Sequence, residues 1–219
     1  MQQAKPDKKV NALLQPLYDS LKANLIELPK SEPAYWAWRA FEHYSTDGQH
    51  DRGIFSIYWF NLVYLQPGQG IFQGAGIPHA YLEGVNVELM ANSDNVLRGG
   101  LTPKHIDVPE LLANIKLDEV KPKILDGQVL EDGRINYPVP VSDFAIDRID
   151  LLATQSLKIE QRGPAIYLVM DGQVTLAGQR WERGSVFFSP DGAQLVMENR
   201  DHRIATLYRA YVDTDKLGQ

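Results

Sequence analysis

One spacing of turn residues occurs twice in this chain and restricts its architecture more than any other feature. Gly68, Gly74 and Gly76 lead to His79 through gaps of five, one and two residues; Gly184, Pro190 and Gly192 lead to Leu195 through the same gaps, 116 positions further on. Both copies lie among short runs in which apolar residues alternate with polar ones. These runs are 54–65, 69–73 and 85–90 around the first copy, and 166–170, 173–177, 185–189, 194–198 and 203–212 around the second. A period of two places alternate side chains on opposite faces, which predicts strands. Glycine admits the positive φ that tight turns between strands require. Many short strands between Gly, Asp and Pro turns predict a sandwich or barrel. Asp171-Gly172, set between two apolar runs, predicts a hairpin with a type I′ turn.

Ahead of these strands the period is helical. Val10, Leu13, Leu14, Leu17 and Leu21 form one apolar face over residues 8–24, and Trp36, Ala37, Ala40, Phe41 and Tyr44 form another over 33–45. Two helices packed on each other account for both stripes. Residues 107–115 predict a short third helix, with Asp107 as its cap and Pro109 in its first turn. The stretch 118–147, rich in Asp, Lys, Pro and Gly, reads as a connector with little regular structure.

A chain of 219 residues is long enough for one large domain or two small ones. With a net charge of −6 and no basic stripe, nucleic acid is not expected as a partner. A local cluster such as Arg98, Lys104 and His105 still suits a sugar phosphate. The absence of cysteine excludes disulfides and thiolate metal sites and fits a reducing cytoplasm, the expected location. Neither a signal peptide nor a membrane span is expected, because no apolar run approaches ~20 residues.

The chemistry gathers in residues 79–104, H-A-Y-L-E-G-V-N-V-E-L-M-A-N-S-D-N-V-L-R-G-G-L-T-P-K. An imidazole, carboxylates and two cations stand close together there. Val85, Val87 and Leu89 read as the buried face of a strand, with Asn86 and Glu88 on the other. Asn92, Ser93, Asp94 and Asn95 form a polar turn before Arg98. A neutral imidazole at His79 is a candidate zinc ligand, although a lone histidine is more often structural. Arg98 offers a permanently charged fork for oxyanions; an ion pair with Glu88 or Asp94 that holds the loop is the plainer reading. Tyr81 alternates with His79 and so faces the same way, either lining a pocket or packing in a core. Glu88 reads as a buried carboxylate that orients a ligand or the arginine. His43, His50 and His202 have no motif around them and read as structural.

Four segments carry a family resemblance: D-R-G-I-F-S at 51–56, P-H-A-Y-L at 78–82, V-E-L-M-A-N-S-D-N-V-L-R at 87–98 and G-L-T-P-K at 100–104. They resemble the signature of the class I phosphomannose isomerases, the zinc-dependent, cupin-type enzymes that interconvert mannose 6-phosphate and fructose 6-phosphate. Gly99 departs from the pattern, where alanine is more usual. The repeated glycine spacing is also similar to that of the second cupin motif. The resemblance implies a cupin jelly-roll barrel with zinc as cofactor and a hexose 6-phosphate as substrate. It also implies His79 as a metal ligand, Arg98 as the active-site arginine and Lys104 as a cation of the same cavity, with Tyr81 and Glu88 as further pocket residues.

The family's zinc site takes four side chains, a Gln-x-His pair, a glutamate and a distant histidine, and only the last is matched. No Q-x-H and no N-H-K-P-E run, the carrier of the family's acid–base lysine, occurs in the chain. The chain therefore resembles the C-terminal part of such an enzyme, and alone it is expected to be inactive. The organisation that follows is a helical segment over 1–50, part of the catalytic barrel over 51–117, the connector over 118–147 and a metal-free cupin-like barrel over 148–219. In that last barrel Leu195 fills the histidine slot, and Val186, Phe187, Phe188, Val196 and Met197 are candidate core residues. A non-catalytic cupin-like module for sugar or protein is the alternative function. A separate N-terminal half that completes the site is a candidate partner.

Overall fold

A computed structural model of the chain describes residues 8–24, 28–93 and 95–212. They form two compact units. The first holds everything described up to Tyr64, Gln73–Gly84 and the described residues from there to Pro122 outside Val85–Ser93; the second holds Leu65–Phe72, Val85–Ser93 and the described residues from Lys123 onward. The fold is mainly β with a helical N-terminal segment.

In the first unit, α1 (Lys8–Ala23), α2 (Pro33–Tyr44) and α3 (Ile54–Trp59) enclose a small core of Leu14, Leu21, Ala37, Ala40, Phe41 and Ile54. Two of these helices sit where the apolar periodicity places them. Leu13, however, is exposed, because at 100° per residue it lies roughly 60° off the Val10–Leu14–Leu17–Leu21 stripe. The third helix corrects the sequence reading, which expects a strand over 54–65. Ile54 is fully buried in the helical core, and local contacts favour the turn: Ser56 Oγ donates to the Gly53 carbonyl at 2.6 Å and Gly53 N to Asp51 Oδ1 at 2.7 Å. Packing outweighs the β preference of Ile, Phe and Tyr here. The expected cap is present at α4 (Val108–Asn114), where Asp107 Oδ1 accepts from Glu110 N at 3.1 Å.

Among the described residues, twelve strands make three antiparallel sheets. A two-stranded ribbon pairs β1 (Gly70–Ile71) with β2 (Ile124–Leu125). A six-stranded sheet runs β10-β7-β12-β5-β4-β3, made of β3 (Gln128–Val129), β4 (Ile135–Asn136), β5 (Ala145–Leu151), β7 (Ala165–Asp171), β10 (Val186–Ser189) and β12 (Ala205–Tyr211). A four-stranded sheet runs β6-β11-β8-β9, made of β6 (Ser156–Glu160), β8 (Gln173–Leu176), β9 (Gln179–Glu182) and β11 (Gln194–Glu198). The stretch read as a connector thus contains three short strands and the start of β5. The two larger sheets share one core of Ile149, Leu151, Ile159, Tyr167, Val169, Val174, Phe187, Met197 and Leu207, with Leu195 packed against it. This double-sheet arrangement is consistent with a cupin-like jelly roll.

Several expectations are corrected here. Asp171-Gly172 makes no hairpin: β7 and β8 belong to different sheets, so the dipeptide is the corner between them. Only Gly172 has positive φ (69°), and a Cβ there would stand 2.7 Å from the Ile204 carbonyl and 2.9 Å from Ala205 Cα. The I′ geometry lies instead at Ala177-Gly178 (φ 49° and 77°), which joins β8 to β9 through Leu176 opposite Gln179. Val186, Phe188 and Val196 point outward and are 55, 64 and 41% exposed, while their neighbours Phe187 and Met197 are buried. Residues 85–90 are not a strand; Val85 is 84% exposed, and only Val87 and Leu89 are half-buried. A strand exists through its hydrogen-bonded neighbours, and no described ladder includes this stretch.

The barrel core also holds charge. Asp147, fully buried on β5, accepts from Arg134 and Arg209 (both 2.9 Å) on Oδ2, and from Asn136 Nδ2 (2.8 Å) and Tyr211 Oη (3.3 Å) on Oδ1. The Arg209 guanidinium lies 3.8 Å over the Tyr211 ring, and its Nε finds no partner.

Candidate functional site

The motif segments 51–56 and 100–104 are distant in sequence and meet in the first unit. Gly100 packs so closely on Gly53 that a Cβ on it would stand 2.8 Å from the Gly53 Cα. Leu101, with a positive φ of 49°, turns its side chain onto Gly53 and joins the edge of the helical core. This close glycine contact fixes where the chain on either side of it runs, and so positions Arg98 and Lys104. Gly99 has open space around it, so alanine at this position would fit without displacing the loop.

Arg98 and Lys104 both extend into solvent. The Lys104 backbone N–H donates to Thr102 Oγ1 at 3.2 Å, which shapes the T-P-K turn. Asp94, the closer of the two candidate anchors for Arg98, lies outside the described residues. Glu88 is exposed rather than buried and belongs to the second unit, which corrects the reading of it as a buried carboxylate. The strand that would have turned it inward has not formed.

His79 follows the Gly74–Pro78 turn. Its Nδ1 lies 2.9 Å from the Ile77 carbonyl. A carbonyl only accepts, so Nδ1 carries the proton and the Nε2 lone pair faces away from that bond. An imidazole oriented by a backbone carbonyl in this way is suited to metal ligation. The Tyr81 ring meets the His79 ring edge-on with centroids 6.0 Å apart, as expected for alternate residues of an extended segment. Both side chains are exposed. His105 is exposed too. No group of three or more His, Cys, Asp or Glu side chains among the described residues is placed to hold a metal ion. His79 therefore suits one position of a zinc site, but the described residues do not make up such a site by themselves.

Sequence reasoning missed the carboxylate that tethers this segment. Glu83 accepts from Lys30 Nζ at 2.9 Å on both oxygens and from Arg39 at 3.4 Å. The Lys30 hydrogen bond holds the Glu83 carboxyl below its usual range and lifts the Lys30 ammonium. The cations stand 53 and 44 residues before Glu83, so no local pattern could have shown the contact. His50 has the structural place expected of it. It sits between Ser45 Oγ (2.9 Å) and Gln15 Oε1 (3.1 Å), with burial lowering its pKa.

No family model matches the chain. Curated relatives do. The mannose-6-phosphate isomerases of Escherichia coli and Salmonella typhimurium are 45% identical over 141 residues, which is 64% of this chain and 36% of theirs. Mannose-6-phosphate isomerase 2 of Arabidopsis thaliana is 37% identical over 169 residues, 75% of this chain and 38% of its own length. Among solved structures, Salmonella typhimurium phosphomannose isomerase bound to fructose 6-phosphate and zinc superposes with a TM-score of 0.67 at 33% identity. It covers 97% of this chain, which in turn covers 51% of it. A variant of that enzyme gives a TM-score of 0.70 at 33% identity, with 94 and 55% covered. The chain spans well under half the length of these curated relatives and about half of the solved enzyme. It resembles part of a mannose-6-phosphate isomerase.

Proposed function

We propose that this chain carries the arginine- and lysine-bearing part of an aldose–ketose isomerase that interconverts mannose 6-phosphate and fructose 6-phosphate. The observation that supports this most is the convergence of the 51–56 and 100–104 motifs on one glycine contact, in a chain that is 45% identical to such isomerases over 141 residues. In this reading the isomerisation moves a proton between C1 and C2 and builds negative charge on an enediolate. Arg98 stabilises that charge with a fixed pair of N–H donors, and Lys104 holds a phosphate or sugar oxygen as a point charge. Tyr81 flanks the pocket. His79 serves as one zinc ligand of a set whose other members come from polypeptide outside the described residues.

The proposed organisation keeps 51–117 as part of the catalytic barrel and 148–219 as a metal-free barrel, in a cytoplasmic enzyme of mannose metabolism. Among the described residues no helix is long and apolar enough to cross a membrane. The test compares the 219-residue chain alone with the chain co-expressed with the N-terminal part of the Escherichia coli isomerase. Alone it should retain no stoichiometric zinc and show negligible turnover; the pair should hold zinc and isomerise. In the active pair Arg98→Lys should lower turnover about 10²–10³-fold, the usual effect of losing an oxyanion stabiliser. Near-full activity in that variant would return Arg98 to a loop-anchoring role. Hexose phosphate binding without turnover by the pair would support the non-catalytic module instead.

A further inference from the structure

We infer that Ser45 is a nucleophile with His50 as its general base, and that it accepts the acyl group of a small uncharged ester in a cleft of the first unit. Asp47 and Gly48, with φ of 52° and 72°, form a two-residue turn. Positive φ at both central residues is what so tight a connection requires. Thr46 N donates to the Gln49 carbonyl at 3.1 Å and Gln49 N to the Thr46 carbonyl at 2.9 Å, which closes the turn. The next residues outward, Ser45 and His50, therefore stand opposite each other, with Ser45 Oγ 2.9 Å from His50 Nδ1. Asn11 of α1 fastens the turn in place: its Nδ2 donates to the Gly48 carbonyl at 2.6 Å, and its Oδ1 accepts from His50 N at 2.8 Å.

The groups beyond this contact fix where its protons lie. Gln15 and Asp19 follow Asn11 on the same face of α1, at successive intervals of four residues. A carboxylate only accepts, so the Gln15 group 2.9 Å from Asp19 Oδ1 is the amide nitrogen. Gln15 Oε1 then faces His50 Nε2 at 3.1 Å; it too only accepts, so Nε2 carries the imidazole proton. Nδ1 keeps its lone pair, and the Ser45 hydroxyl donates to it. The chain of donors runs from Ser45 to His50 to Gln15 and ends on the Asp19 carboxylate. Burial holds His50 below its usual 6.5 against the pull of Asp19, so the ring is neutral at pH 7 and can take the serine proton. Helix capping accounts for the Ser45 backbone, whose N–H donates to the Phe41 carbonyl at 3.1 Å, but not for this order of side chains.

The pair opens on a cleft of about 350 Å³ that Tyr18, Phe41 and Glu42 also line, at the small end of the range for small-molecule sites. The Tyr18 and Phe41 ring centroids lie 5.3 and 4.8 Å from that of His50 and supply an apolar wall. Glu42 disfavours an anionic substrate. An uncharged ester of a short carboxylic acid suits both. Ser45 Oγ attacks the ester carbonyl carbon; the bond from Oγ to carbon forms and the bond from carbon to the alcohol oxygen breaks. The Oγ proton passes to His50 Nδ1 and then to the departing oxygen, which leaves an acylated Ser45 and a free alcohol, with no change of oxidation state. The Gln15 carbonyl, polarised by Asp19, stabilises the transient imidazolium through Nε2–H. None of these residues belongs to the proposed isomerase site, so either proposal can fail alone.

The test is acetylation of the 219-residue chain by p-nitrophenyl acetate, followed by p-nitrophenolate release and by mass spectrometry of the peptide that holds Ser45. The parent should release a burst of about one equivalent per chain, with the acetyl group on Ser45. Ser45→Ala should lose the burst, and His50→Gln should slow it about 10²-fold or more, as loss of a general base does. The burst rate should rise through a midpoint below pH 6.5 and then level. The titratable groups that share the cleft are Tyr18 and Asp19 on α1 and Glu42 on α2; phenols titrate higher and carboxylates lower, so that step belongs to His50. Gln15 and Asp19 act through the ring, as positioning residues. Gln15→Glu keeps an acceptor for Nε2–H and adds negative charge, so it should retain the burst and move the midpoint upward. Acetylation of Ser45 no faster than that of the exposed Ser20 and Ser156 overturns the inference, as does a burst that survives Ser45→Ala. A rate that climbs about tenfold per pH unit without levelling also overturns it, because hydroxide rather than His50 would then be the base. If His50→Gln lowers the melting temperature, the Gln15→Glu profile decides, and an unmoved midpoint removes His50 as the base.

Discussion

Replacing Asp147 with alanine should destabilise the second unit far more than its size suggests. The carboxylate is fully buried and receives four donors, two of them from Arg134 and Arg209. Arg134 keeps Asp132 at 2.7 Å as a second partner, but Arg209, whose side chain is 5% exposed, has no other carboxylate among the described residues and already leaves Nε unpartnered there. Its stacking on Tyr211 recovers only part of the lost attraction. Removing one member of a buried ion pair leaves an uncompensated charge, at about 3–5 kcal/mol. For a unit of this size that corresponds to a fall in melting temperature of about 10 °C or more. The assay is thermal unfolding by circular dichroism of the parent, Asp147→Ala, Arg209→Met and the double variant Asp147→Leu/Arg209→Met. The double variant should recover most of the loss, because apolar residues replace both charges at once. An Asp147→Ala melting temperature within about 3 °C of the parent's would refute the reasoning, since Arg209 would then be satisfied without its partner.

Burial pushes the Tyr167 phenol up to about 12 from 10.0. The folded state therefore holds the proton after the unfolded chain has lost it. The stabilisation is complete below pH 10 and is lost between about pH 10 and 12, at most about 2–3 kcal/mol. Urea midpoints measured from pH 8 to 11 should fall above pH 10, and Tyr167→Phe should flatten that slope while costing stability at neutral pH through the Gln161 Oε1 it leaves without its 2.8 Å donor. Gly172→Ala should destabilise by about 2 kcal/mol or more, because it combines positive φ with backbone contact, whereas Gly178→Ala, with open space around it, should cost only about 1 kcal/mol. Chemical denaturation of the two variants measures the difference, and equal losses would deny the corner its close packing. Leu195→Asp should cost about 2 kcal/mol or more, by placing a charge against the barrel core opposite Ile159. An unchanged melting temperature would mean that Leu195 faces solvent.

Features set by neighbours in sequence were legible without coordinates. The Leu14–Leu21 stripe of α1, the Trp36–Phe41 face of α2 and the Asp107 cap of α4 depend on residues three, four or seven positions apart. The same holds for the alternation along β7, β8, β10, β11 and β12, and for the glycine spacing whose two copies share backbone angles. The motifs also name His79, Tyr81, Arg98 and Lys104 as candidates, whose roles belong to the proposal, whereas Glu88 is exposed rather than buried. Only tertiary structure decided that 54–59 coils into the helical core, that Asp171-Gly172 turns a corner between sheets, and that the true I′ turn stands at Ala177-Gly178. The same is true of Gly53 against Gly100, Glu83 on Lys30, and Asp147 beneath two arginines, pairs separated by 13 to 62 residues. The physical reason is common to all of them. A helix closes its own hydrogen bonds within four residues, whereas a strand, an ion pair or a glycine contact is completed by whatever the fold brings alongside. The stretch 85–90 has the strand pattern, but no described β-ladder includes it.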